Sequence, residues 1–184
     1  MKSSLRKSVG LGGVLCALLF AVPGYGATIT VNFGQYESVE QAAHDEDNVN
    51  WRDANQADDT VCTECFAATE LQYYLRKVTG DPEAFPIVDD TGAGGPSSQQ
   101  GNAAVALPGD DFIVIGGPRS NLLAGLPGVG TPDLEELGPE DYVIRTTDFL
   151  GRQVTLVAGG GRVGTLYAVY DLLHRLGVRW YAPG

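Results

Sequence analysis

Basic charge is what this sequence has least of. Its 184 residues hold 12 Lys and Arg against 23 Asp and Glu, a net charge of −11. The lysines are Lys2, Lys7 and Lys77 alone. Nucleic acid is thereby excluded as a partner, because phosphate contacts need clustered cations. Electrostatic docking on anionic lipid is excluded for the same reason. Histidine is scarce too: His44 and His174 make no metal-ligand spacing with the cysteines, so a zinc site is not expected. Three cysteines, Cys16, Cys62 and Cys65, are too few for a disulfide-built scaffold. No apolar run reaches the ~20 residues of a spanning helix. With 43% hydrophobic and 19% charged residues, the chain is not a disordered acidic tail.

The longest apolar run, Val9 to Val22, has a different meaning. Lys2, Arg6 and Lys7 precede it with no acid, Pro23 breaks it, and Gly24 and Gly26 stand three and one residues before Ala27. That order is the secretory signal, so residues 1–26 are predicted to be removed and the protein to be secreted or periplasmic. Leu15 occupies the place where a lipid-anchored Cys16 would need a small residue, so no membrane attachment is expected after cleavage. Residues 27–184 then carry 9 cations against 23 acids, a net charge of −14. Their length suits one domain that buries about 70% of its unfolded surface without staples.

Periodicity outlines the elements. Ala27 to Phe33 alternates and is β-branched, as a strand does. Residues 34–59 hold eight acids and no sustained apolar period, which predicts a long exposed loop with a helical turn near Val39 to Ala43. Ala68, Leu71, Leu75 and Val78 make one stripe of a helix over Thr63 to Thr79, closed by Gly80 and Pro82. A short strand is predicted at Phe85 to Val88 and a flexible connector over residues 89–102. Asp111 to Gly117 reads as a buried central strand, and Ser120 to Leu126 as a short helix. Asp141 to Thr146 and Gln153 to Ala158 read as a hairpin. Leu166, Val169, Tyr170, Leu173 and Leu176 mark a second helix over Arg162 to Leu176. Val178 to Tyr181 is predicted to return as a strand after Gly177. The fold class expected is α/β (α+β), a mixed sheet with two main helices packed on it.

Candidate chemistry is sparse. Gly159-Gly160-Gly161-Arg162-Val163-Gly164 matches the dinucleotide fingerprint between a strand and a helix. It lies on a late strand of a secreted chain, and the next strand offers no acid for a ribose. No cofactor is therefore expected, and the glycines read as a tight turn where helix and strand approach closely. A weaker use remains, an anion held by Gly161 and Arg162 at the helix start. Cys62 and Cys65 in an oxidising compartment are expected to form a local disulfide. Asp89-Asp90, Asp110-Asp111 and Glu135-Glu136 are sequence neighbours, not carboxyls facing each other across a glycosidic bond. No nucleophile elbow or phosphate loop is present.

Four segments together resemble a known family: Ala67 to Gly80, Ile113 to Asn121, Gly138 to Ile144, and above all Gly161 to Gly184, ending Gly-Val-Arg-Trp-Tyr-Ala-Pro-Gly. The chain over 27–184 is similar to the N-terminal domain of alpha-glucuronidase-like glycoside hydrolases. More distantly, it is similar to the domain that precedes the barrel of beta-hexosaminidases. The resemblance implies a non-catalytic accessory domain in polysaccharide breakdown, on a glucuronoxylan-type substrate, with a catalytic (β/α)8 barrel expected beyond Gly184. It also implies that this chain has no catalytic residue of its own. Arg179, Trp180 and Tyr181 are then candidates for the surface facing that barrel, with Trp180 as a core residue the competing reading. The alternative function is a free-standing secreted module that binds carbohydrate or another partner.

Overall fold

The computed structural model describes residues 27–50, 52–53, 56–90, 111–130 and 132–181. The signal segment and most of the predicted connector, from residue 91 onward, lie outside the described residues. Strand β1 spans Thr28–Val31, α1 Val39–Asp45, α2 Gln56–Thr79, β2 Ile87–Asp89, β3 Phe112–Ile115, β4 Tyr142–Phe149, β5 Arg152–Gly159 and α3 Arg162–Arg175. Short 3-10 turns occupy Glu46–Asn48 and Pro132–Glu136.

The strands form one sheet in the order β2-β1-β3-β5-β4. The first four run parallel and β4 is antiparallel to β5. The mixed α/β class expected from sequence is what the fold has. All four residues of β1 and of β3 are buried, which is why these strands lack polar alternation. Ile29, Val31, Ile113, Ile115 and Val157 face the helices, joining Leu71, Leu75, Val169 and Leu173 in the main core. The alternate residues Phe112, Val114, Val154 and Leu156 form a second core beneath Leu123, Ala124, Val129 and Leu134. The helices thus cover one face and irregular chain covers the other. Among the described residues no helix is long and apolar enough to cross a membrane.

Several expectations change. The acidic segment is not an exposed loop throughout, and three helices pack on the sheet where two main ones were expected. Ser38 caps α1 by accepting from the Gln41 N–H at 3.2 Å, and α1 buries Val39 and Ala42. Helix α2 begins at Gln56, seven residues before the predicted Thr63; the buried Asp59 lies near its start, where the helix dipole favours acids. Residues 120–126 form successive turns, not a helix.

A further change concerns the C-terminal segment. Val178 to Tyr181 joins no strand. Gly177 adopts φ +97°, its N–H donates to the His174 carbonyl at 3.1 Å, and the Val178 N–H donates to the Leu173 carbonyl at 3.0 Å. These two bonds are the Schellman closure of a helix. Val178 packs on the core at that closure, and the chain leaves along the helix end instead of the sheet.

Candidate functional site

Two places gather polar or aromatic side chains. The first lies at the carboxyl ends of the parallel strands. From β1 the chain passes to β2 on one side, and β3 lies on the other; such a reversal point is where open α/β sheets hold their sites. Here Asn121 fills it. Its Nδ2 donates to the Thr30 carbonyl at 3.3 Å and the Ile115 carbonyl at 3.0 Å. Its Oδ1 accepts from the Leu123 and Ala124 amides at 2.9 and 3.3 Å. Beside it the buried Asp90 accepts from Asn32 Nδ2 at 2.9 Å and from the Leu122 N–H at 2.6 Å.

Glu64 of α2 enters the same end of the sheet and is only 2% exposed. Thr165 Oγ1 of α3 donates to Glu64 Oε1 at 3.0 Å and accepts from the Gly159 N–H at 3.1 Å. Oε2 makes no well-aligned hydrogen bond, although the Ser120 hydroxyl and the Gly117 amide lie beside it. Burial pushes the carboxyl up to about 7, helped by the charge of Asp90, while the Ser120, Thr165 and Gly117 donors oppose the shift. Space for the carboxyl comes from Gly116 at φ +108°, where a Cβ would stand 2.7 Å from Oε2 and 2.9 Å from Ser120 Oγ. Sequence reasoning missed this group. The signal was present, because Glu64, Ala68, Leu71 and Leu75 share one spacing of four, three and four.

The second place is an aromatic row across α2 and α3. Trp180 packs edge-to-face on Tyr74 at 5.6 Å and on Tyr170 at 5.3 Å, and its Nε1 donates to the Tyr74 hydroxyl at 3.0 Å. Tyr73 continues the row at 5.1 Å from Tyr74. Trp180 stays 45% exposed and Tyr181 86%. Arg179 turns back, donating from Nη1 to the carbonyls of His174 and Val178 at 2.6 and 2.8 Å. All three residues of the predicted surface are exposed: Trp180 and Tyr181 are open aromatics, and Arg179 also hydrogen-bonds the helix end.

The remaining candidates are not brought together. Around Gly161 and Arg162 the start of α3 is covered by chain: the Gly164 N–H donates to the Pro139 carbonyl at 3.2 Å, and the Gly160 N–H to the Asp141 carbonyl at 2.9 Å. The chain before β4 thus fills part of the approach to the Gly161 and Arg162 candidate and engages two of the amides around it. Cys62 and Cys65 are buried thiols with separate partners, not the expected disulfide. Cys62 Sγ meets the Tyr36 hydroxyl at 3.2 Å, and that hydroxyl donates to Asp45 at 2.7 Å. Cys65 Sγ donates instead to the Asn32 carbonyl at 3.3 Å, and burial raises its pKa, with the Glu64 charge adding to the shift. A thiol so held is a poor nucleophile. Residues 27–184 should therefore resist iodoacetamide at both cysteines when native and take up two labels once unfolded, as read by intact mass. Loss of two hydrogens with no labelling in the unfolded state would mean that the pair is bonded.

Among the described residues no cluster of three or more His, Cys, Asp or Glu could hold a metal. No protein-family model matches the chain and no curated protein matches it.

Proposed function

We propose that residues 27–184 are the non-catalytic accessory domain of a secreted glycoside hydrolase that acts in polysaccharide breakdown on a glucuronoxylan-type substrate. In this reading the fold is of the kind that precedes hexosaminidase barrels, and the Trp180 and Tyr181 face packs against a catalytic (β/α)8 barrel of the same polypeptide. The observation that carries it is the pair of open aromatics on a segment with no strand pairing of its own. A large apolar ring left half-covered is a natural interdomain contact. A non-catalytic role is supported by Glu64: its raised pKa suits a general acid, but the carboxyl is sealed and cannot reach a glycosidic oxygen.

Trp180→Ala tests the proposal. In residues 27–184 alone the change should cost only about 1–2 kcal/mol, the worth of its two edge-to-face contacts and partial burial. In a polypeptide that carries the barrel it should cost about 3 kcal/mol or more, as a central interface aromatic does. Equal losses in both, measured by urea unfolding, would remove Trp180 from the interface. The coding sequence past the Gly184 codon should run on for about 250 residues of alternating strand and helix.

The second reading is a free-standing carbohydrate-binding module. It is favoured by an open cleft of about 370 Å³ lined by Gln72, Tyr73, Arg76, Lys77, Gly80 and Pro82. An in-frame stop after Gly184, with retention of the protein on insoluble xylan, would support it over the first.

A further inference from the structure

We propose that Glu64 is a proton-operated latch: while its carboxyl is protonated, α2 is clasped to the end of β3 and to α3, and loss of that proton loosens the clasp. The inference does not depend on the accessory-domain reading.

Three elements meet at this side chain. Helix α2 supplies the carboxyl, α3 supplies Thr165, and the turn after β3 supplies Gly116, Gly117 and Ser120. Thr165 Oγ1 links Oε1 onward to the Gly159 N–H at the end of β5. Because the Thr165 hydroxyl donates to Oε1, the proton of the neutral acid belongs on Oε2. Oε2 sits beside Ser120 Oγ at the point a Cβ on Gly116 would fill, with no aligned hydrogen bond of its own. The neutral carboxyl brings no charge into this dry pocket. The carboxylate does, with only the poorly aligned Ser120 hydroxyl and Gly117 amide to offset it.

The charged group facing Glu64 is Asp90, at the end of β2, and it repels the anion. Asp90 is itself held by Asn32 and Leu122 and so is not free to turn away. On α2 itself the neighbouring ionisable group is the Cys65 thiol, whose pKa the Glu64 charge raises. The folded-state pKa of Glu64 lies above its ordinary 4.5, at about 7. The folded chain therefore holds this proton more tightly than the unfolded chain. The stabilisation is complete below about pH 4.5 and is lost as the pH rises through about 7. The latch also acts on the seam that seats Trp180. From Glu64–Thr165, α2 and α3 are next joined by Tyr170 donating to Glu70 at 3.3 Å, and then by the Trp180–Tyr74 bond.

The test compares the full chain with Glu64→Gln, which keeps the shape and a donor toward Ser120 but cannot ionise. Thermal midpoints are measured from about pH 5 to about pH 8.5. The wild-type midpoint should fall by about 5–10 °C more than that of the variant over this range. Parallel profiles for the two proteins would overturn the proposal. Should Glu64→Gln fail to fold, carbon-detected NMR of the wild-type glutamate carboxyls decides. One resonance titrating near 7, with amide exchange at Gly159 quickening beyond the base-catalysed trend over the same range, supports the latch. All glutamates titrating in the ordinary range near 4.5 would overturn it.

Discussion

Asn121→Ala should destabilise the protein by about 3–5 kcal/mol, a large part of the 5–15 kcal/mol that holds a typical domain together. Asn121 is 1% exposed. All four of its hydrogen bonds run to backbone: two carbonyls at the ends of β1 and β3, and two amides of the turn that follows. Alanine removes the partner from each of them at once. Every buried group left unpaired costs about 1–3 kcal/mol, although the Leu123 and Ala124 amides can relax toward one another's turn carbonyls. Urea unfolding should show a lower midpoint with an unchanged m-value. Asn121→Asp keeps the shape and the two accepted bonds but sets a carboxylate against two carbonyls. It should be at least as damaging at neutral pH and recover in acid, where the protonated carboxyl can donate again. A loss under about 1 kcal/mol for Asn121→Ala would mean that the turn and the strand ends hold together without the bridge.

Gly159→Ala should cost about 3 kcal/mol or more, at the upper end for overpacking. A Cβ there would lie 2.1 Å from the Thr165 nitrogen and 2.4 Å from the Gly164 carbonyl carbon. Both are backbone atoms of α3, so no side chain can rotate out of the way. Gly160 and Gly164 meet the same limit against Gly138 and Asp141, at 2.2 and 2.4 Å from their carbonyl oxygens. The stretch that matches a phosphate-binding fingerprint is thus where α3, β5 and the chain before β4 touch backbone to backbone. Gly80→Ala is the control: nothing lies within 4 Å of its Cβ, and only the positive φ, about 1 kcal/mol, is at stake. Thermal melts of the two variants should separate clearly. Equal midpoints would mean that α3 can shift away from the sheet at little cost.

The hairpin shows what is legible from residues alone. Two apolar, β-branched runs lie on either side of Leu150-Gly151, and both of these residues adopt positive φ, at 56° and 79°, the conformation of the tight turns that join twisted strands. Likewise Phe112-Ile-Val-Ile115 declared itself a central strand, and the stripes through Leu71 and Leu75 and through Val169 and Leu173 declared two helices. The start of α2 was hidden because residues 56–62 show no apolar stripe, and Asp59 and Cys62 are seen to be buried only once the fold is assembled. Val178 to Tyr181 has the composition of a strand, yet among the described residues it pairs with none. The helix end offers its carbonyls one residue away.

Sequence by itself determined the elements whose signal is local: which stretches alternate, which repeat every three to four residues, and where glycine stops them. It also carried the expectation that an acidic partner such as nucleic acid would be repelled, since net charge needs no coordinates. Tertiary structure alone decided the parallel order β2-β1-β3-β5-β4, the separate partners of Cys62 and Cys65, the partly filled approach to Gly161, and the burial of Glu64. Each of these depends on what a residue meets across the fold, at separations of up to 101 positions for Glu64 and Thr165. No local pattern encodes whether a carboxyl finds water or a threonine hydroxyl, and that difference sets its proton.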